Sequence, residues 1–350
     1  MKPTIFSTNQ AAGRHVFLAA VLVLLIGLLS LLGIMIGVSE INPGQVLSIL
    51  LHEFAPQTIA DKIIVDWRSS QAVIVTELRT PRVVLAILAG AGLAVSGAAL
   101  QAATRNPLTD PFLLGVSSGA SMGAVLVISH TGLLLGIYSM PVFSFMGALI
   151  SFFMLLFLLR RPQNQRPDRL VLSGVAISFL LMAATNALIF MGDQRAAQSV
   201  VFWMLGGLGR ATWELLLLPC LFVSLGILVL FWHGRHLNAL MMGQETASAL
   251  GLSVQRTQVV ILLLVTLVTS LIVSLTGTIG FVGLVIPHIM RSFVGGDNRA
   301  LLVFSALAGA AFMLGVDIFA RQLLAPQEIP IGVITGAVGG GYFCYLLARR

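Results

Sequence analysis

The chain is 350 residues long, with 57% hydrophobic residues, 9% charged residues and a net charge of +7. A typical soluble domain carries roughly 25% charged residues, so a soluble enzyme or a nucleic-acid-binding module is excluded. What remains is an all-helical, polytopic membrane protein, read as a single transmembrane domain over residues 1–350 with no room for a large soluble part.

Residues 16–38 form the first apolar run, just after Arg14 and His15. The run is longer than a signal-peptide core and no small-residue cleavage site follows, which predicts a first span with its N-terminus in the cytoplasm. Residues 39–81 mix both charges and are expected to be an interfacial loop on the far side. Seven more runs follow, at 82–104, 114–130, 141–159, 170–191, 212–232, 258–278 and 301–324, and residues 331–348 close the chain. Residues 280–294 are short for a span, yet a crossing is needed there if both flanking spans run the same way. The expectation is therefore ten spans with both termini cytoplasmic. Residues 200–209 are expected to be an extracytoplasmic half-helix. On this layout 13 of the 20 basic residues lie on the cytoplasmic side, against four of the 13 acids, as the positive-inside rule requires.

The longest polar interruption in the second half is residues 233–257, which the charge count places in the cytoplasm. It carries a short-helix pattern that a linker would not need. Residues 239–242 are apolar, Gly243 can break the run, and residues 244–250 can form two helical turns with Glu245 near the positive end. Gly251 stands where a C-terminal cap belongs. This predicts a docking element held against the membrane face.

Small residues recur at helical spacing in two series, Gly115, Gly119 and Gly123, and Gly332, Gly336 and Gly340. Each series lines one helix face, suited to close helix packing or to a smooth wall for a bulky substrate. Chemical motifs are sparse. The two lysines, Lys2 and Lys62, do not follow glycine, so a P-loop cannot form. Gly115-Val116-Ser117-Ser118-Gly119 matches a nucleophile-elbow pattern but opens a membrane helix, where that motif has no strand-turn-helix setting. His233, His236 and His288 lack metal-ligand spacing, and Cys220 and Cys344 stand singly in apolar runs, so neither a metal site nor a disulfide framework is predicted. Asp317 is the central acid of the ninth span, and Arg321, one turn on, can pair with it. Ion-coupled transport would need several such acids, which the other spans lack. Arg79 and Arg82, with Arg321 on the same side, can form an outward positive patch for acidic groups or act as interfacial anchors.

Five stretches together resemble the FecCD-type permeases of ABC importers for iron-siderophores, haem and cobalamin. They are LRTPRVVLAILAGAGLAVSGAALQ (78–101), RNPLTDPFLLGVSSGASMG (105–123), ALGLSV (249–254), GTIGFVGLVIPHIMR (277–291) and EIPIGVITGAVGG (328–340). The resemblance implies ten helices, a second permease subunit, two ATP-binding subunits holding ATP-Mg, and an extracytoplasmic substrate-binding protein. No cofactor and no metal is bound by this chain on that reading. It makes residues 233–257 the coupling element toward the ATPase, with Gly243, Gln244, Glu245, Ala249, Leu250 and Gly251 as contact or geometry residues. It makes Arg79, Arg82 and Arg321 the docking residues for the binding protein. The fifth span becomes the path-lining helix, with Ser173, Ser178, Thr185 and Asn186 as polar path candidates and Pro167 and Asp168 in the gate. The implied cargo is a ferric siderophore first, with haem and cobalamin as alternatives.

Overall fold

The computed structural model describes residues 5–37, 39, 41–160 and 167–349. The described residues form helices and connecting turns and contain no strand. In chain order the principal helices are α1 (Ile5–Met35), α2 (Pro43–Phe54), α3 (Thr80–Thr104), α4 (Val116–Leu126), α5 (Ser139–Leu159), α6 (Pro167–Met191) and α7 (Ala197–Leu205). They continue with α8 (Trp213–Trp232), α9 (Gly234–Met241), α10 (Gln244–Ala249), α11 (Val254–Thr276), α12 (Val282–Val294), α13 (Asn298–Gln322) and α14 (Ile331–Ala348). Eight of these helical runs are long and apolar enough to cross a membrane, and α12 is a shorter apolar helix of 13 residues. α4 continues through a wider turn, Val127–Thr131, so the ten expected segments are all helical.

The region before the second span departs from the expectation. The predicted loop at 39–81 is largely helical, and the apolar run around α3 extends from Ser69 to Thr104. Pro81 thus sits within a continuous helical stretch, just after a π-turn over Ile74–Arg79. In that wider turn a main-chain N–H reaches back five residues, as Thr80 does to Val75. Pro81 has no N–H to give, and the Thr76 carbonyl five residues before it accepts instead from the Trp213 indole at 2.9 Å. A side chain from another span repairs the ladder, which composition alone does not show.

α3 is the hub. It packs against α13, α11, α12, α8, α9 and α1, and 83% of its apolar window is buried. The approach is close because the facing residues lack side chains. A β-carbon at Gly90 would overlap the carbonyl of Gly309 in α13, and one at Gly97 would overlap that of Gly283 in α12. Without a hydrophobic drive between spans in lipid, such backbone contact is a main source of association. α4, α5 and α6 form a second group, joined to the hub through α11. Gly119 and Gly123 pack on the α5 backbone as expected. Gly332 packs on Leu205, but Gly336 and Gly340 face open space, so the second glycine series divides between packing and a bare face. Gly115 precedes α4 and turns the chain into it at φ +82°.

Candidate functional site

One end of the bundle carries α9 and α10. α9 buries Leu237 and Leu240 against α3 and α13. Its Asn238 side chain donates to Asp297 at 2.7 Å and accepts from the N–H of Asn298 at 2.8 Å. Asp297 also caps the first turn of α13 through the Arg299 N–H at 3.0 Å. α9 is thereby fixed to the start of a 25-residue helix about 37 Å long.

Gly243 adopts φ +114° between α9 and α10, a conformation costly to a residue with a β-carbon. At the other end of α10, Gly251 adopts φ +82°, and the N–H of Leu252 reaches the Ala247 carbonyl at 3.0 Å while that of Gly251 reaches Ser248 at 2.9 Å. This is a Schellman-type stop. Ala247 points inward, whereas Gln244, Glu245, Ala249 and Gly251 are exposed and Gly243 is half-buried. Met242 is 66% exposed and Leu250 64%. Two large apolar side chains are thus left open on an otherwise polar element. The sequence marks Met242 only as the end of the apolar run 239–242 and does not single out the anchoring Asn238, whose partners lie some 60 positions on.

The opposite end holds Arg79, Arg82 and Arg321. All three are turned inward. Arg79 donates to the carbonyls of Ile34, Met35 and Ser39 at 2.6–2.9 Å. Arg321 donates to Gly33 and Ile36 at 2.9 and 2.8 Å and pairs with Asp317 at 3.0 Å. The two guanidinium groups satisfy the free carbonyls that end α1. The pairing of Asp317 with Arg321 one turn on is present, and the structure adds Arg82, which meets Asp317 at 2.8 Å and Glu328 at 2.8 Å. An open positive patch is therefore not formed in this conformation; only Arg82 reaches the surface, and there it is covered by Glu328.

Along α6 the polar candidates separate. Ser178 donates to the Gly174 carbonyl at 2.9 Å and Thr185, which is buried, to that of Leu181 at 2.8 Å. Both hydroxyls are spent on their own helix. Ser173 is half-buried and Asn186 exposed. α6 begins at Pro167 and includes Asp168, but the side chains of both gate candidates lie outside the described part, as do Arg161 and Arg166. Near the α9 end, Asp110 is a buried acid whose Oδ1 accepts from the Phe112 N–H at 2.8 Å.

The FecCD transport family model matches residues 20–349. The chain is 39% identical over 276 residues to the hemin transport system permease HmuU of Yersinia pestis, covering 78% of this chain and 82% of that protein. It is 40% identical over 278 residues to the cobalamin import system permease BtuC of Halobacterium salinarum, covering 79% and 74%. A solved inward-facing structure of a metal-chelate type ABC transporter superposes with a TM-score of 0.81 at 29% identity, over 95% of this chain and 99% of that one.

Proposed function

The chain belongs to the FecCD transport family and is the permease of an ABC importer, and on that premise we propose that it carries a ferric siderophore inward across the cytoplasmic (inner) membrane. It works by alternating access with a second permease subunit, two ATP-binding subunits that hold ATP-Mg, and an extracytoplasmic binding protein. The metal-chelate transporter that matches 95% of the chain supports a bulky metal chelate as cargo. Haem or cobalamin is the second reading, favoured by the relatives at 39% and 40% identity. Uptake of radio-iron siderophore, haem and cobalamin into vesicles holding the assembled transporter tests the choice. Siderophore uptake is expected, and transport of haem or cobalamin in its place would move the cargo to the second reading.

The observation that carries the mechanism is the exposed α9–α10 bracket with its fixed geometry. In this reading Gln244, Glu245, Ala249 and Leu250 meet the ATPase, and Gly243 and Gly251 set the angle at which they do so. Movement of α10 passes to α9 and, through Asn238 and Asp297, to α13, whose far end carries Asp317 and Arg321. Ser173 and Asn186 are the polar groups of α6 left to face the path, beside mostly apolar positions, while Pro167 and Asp168 are retained as gate residues. At the far end, Arg82 is the residue through which an acidic binding protein engages the Arg79, Arg82 and Arg321 cluster. Glu245→Arg combined with Leu250→Asp is expected to abolish co-purification of the ATPase and cargo uptake, while the chain still reaches the membrane. Retained assembly and uptake would refute the coupling role.

A further inference from the structure

The three arginines of the far end have partners of two kinds. Arg79 and Arg321 hold main-chain carbonyls at the end of α1, and Arg321 also holds Asp317, whose side chain is 1% exposed. Arg82 lies between two carboxylates at equal distance, 2.8 Å each, but Asp317 is enclosed while the Glu328 side chain is 45% exposed. Removing Asp317 from the cluster would strand buried charges, a large cost. Removing Glu328 opens an ion pair whose Glu328 side is 45% exposed and whose Arg82 side is 12% exposed, and Arg82 keeps Asp317, so the cost is about 1 kcal/mol.

We infer that Glu328 occupies the place on Arg82 that a carboxylate of the extracytoplasmic partner takes, and that docking proceeds by exchange of one carboxylate for the other. This rests on the docking reading above. The cluster holds three guanidinium groups and two carboxylates, Arg79 being bound to carbonyls alone, so it keeps one formal positive charge and attracts an incoming acid before Glu328 leaves. The connection that carries Glu328 is tied before it by the Gln327 N–H to Leu324 at 2.9 Å, and after it by the Ile329 N–H to Ala320 and the Ile331 N–H to Gly206, each at 3.0 Å. The Glu328 side chain can therefore swing out without unravelling the turn between α13 and α14. Arg79 and Arg321 act on docking only by positioning α1 and Asp317.

The test uses the permease with its ATPase in lipid nanodiscs and the labelled binding protein that supports uptake with it. Affinity is measured at about 0.02 M and about 0.5 M salt. Glu328→Gln is expected to tighten binding, up to about fivefold at low salt, with the gain lost at high salt. Arg82→Gln, which leaves the Asp317–Arg321 pair in place, is expected to weaken it by a similar factor. If Arg82→Gln weakens binding but Glu328→Gln leaves it unchanged or weaker, exchange is overturned and direct docking on Arg82 stands. If Arg82→Gln, shown to be assembled by size exclusion, binds as the wild type does, the docking reading itself fails and the exchange with it.

Discussion

Replacing Asp110 with Asn is expected to raise the stability of the protein at neutral pH and remove much of its dependence on mild acid. Asp110 follows the end of α3 and caps the turn Pro111–Leu114 through Oδ1. Its Oδ2 is buried with no protein donor in reach, and a β-carbon at Gly283 of α12 would stand 3.3 Å from it. Burial pushes the carboxyl up to about 6 from an ordinary 3.8, against the opposing pull of the Phe112 N–H. The folded protein thus binds this proton more tightly than the unfolded chain does. The stability tied to that proton is fully present below pH 3.8 and lost as the pH rises through about 6. Roughly two pH units at about 1.4 kcal/mol each make this close to 3 kcal/mol. Asn keeps the Oδ1 acceptor and carries no charge at any pH. Thermal unfolding of the purified protein in detergent, followed from about pH 4.5 to about pH 7.5, should show a falling midpoint for the wild type and a flatter line for Asp110→Asn. Equal slopes for the two proteins would refute the argument.

An open glycine of α14 and a packed one give a paired prediction. Gly339→Ala forces a methyl group into the Phe281 ring, at a cost of about 1–3 kcal/mol, whereas Gly336→Ala meets nothing within 4 Å and should stay within about 0.5 kcal/mol. Midpoints of thermal unfolding for the two variants distinguish them, and equal losses would contradict the placement of α14. The charge cluster makes a second pair. Asp317→Asn leaves Arg82 and Arg321 without their shared buried acid and should cost about 3–5 kcal/mol, against about 1 kcal/mol or less for Glu328→Gln. A small effect of Asp317→Asn on folded yield and melting would show that the cluster is not held together by that carboxylate.

Much of the architecture was legible in the sequence because the bilayer imposes a one-dimensional rule: long apolar runs must be helices that satisfy their own backbone. That rule located all ten segments, most within a few residues of their observed bounds. The α9–α10 element was legible for a similar local reason, since a glycine between two short helical patterns and another after the second can be read without knowing what lies nearby. The start of the second span was not, because the repair of the helix around Pro81 depends on Trp213, more than a hundred positions away.

The candidate sites divide along the same line. Sequence by itself determined that the chain crosses a membrane repeatedly, that it has no P-loop of its own, and that residues 233–257 form a shaped polar element. These follow from local composition and from backbone geometry that single residues dictate. Only the tertiary structure decided where the charges point. Arg79 and Arg321 were legible as basic residues near one membrane face, but their acceptors are carbonyls at the end of α1, up to 288 positions distant in the chain. Likewise, Asp317 had one visible partner one turn away, and its second, Arg82, comes from another span. A buried charge is governed by the groups that replace its water, and those are assembled by helix packing rather than by neighbours in sequence.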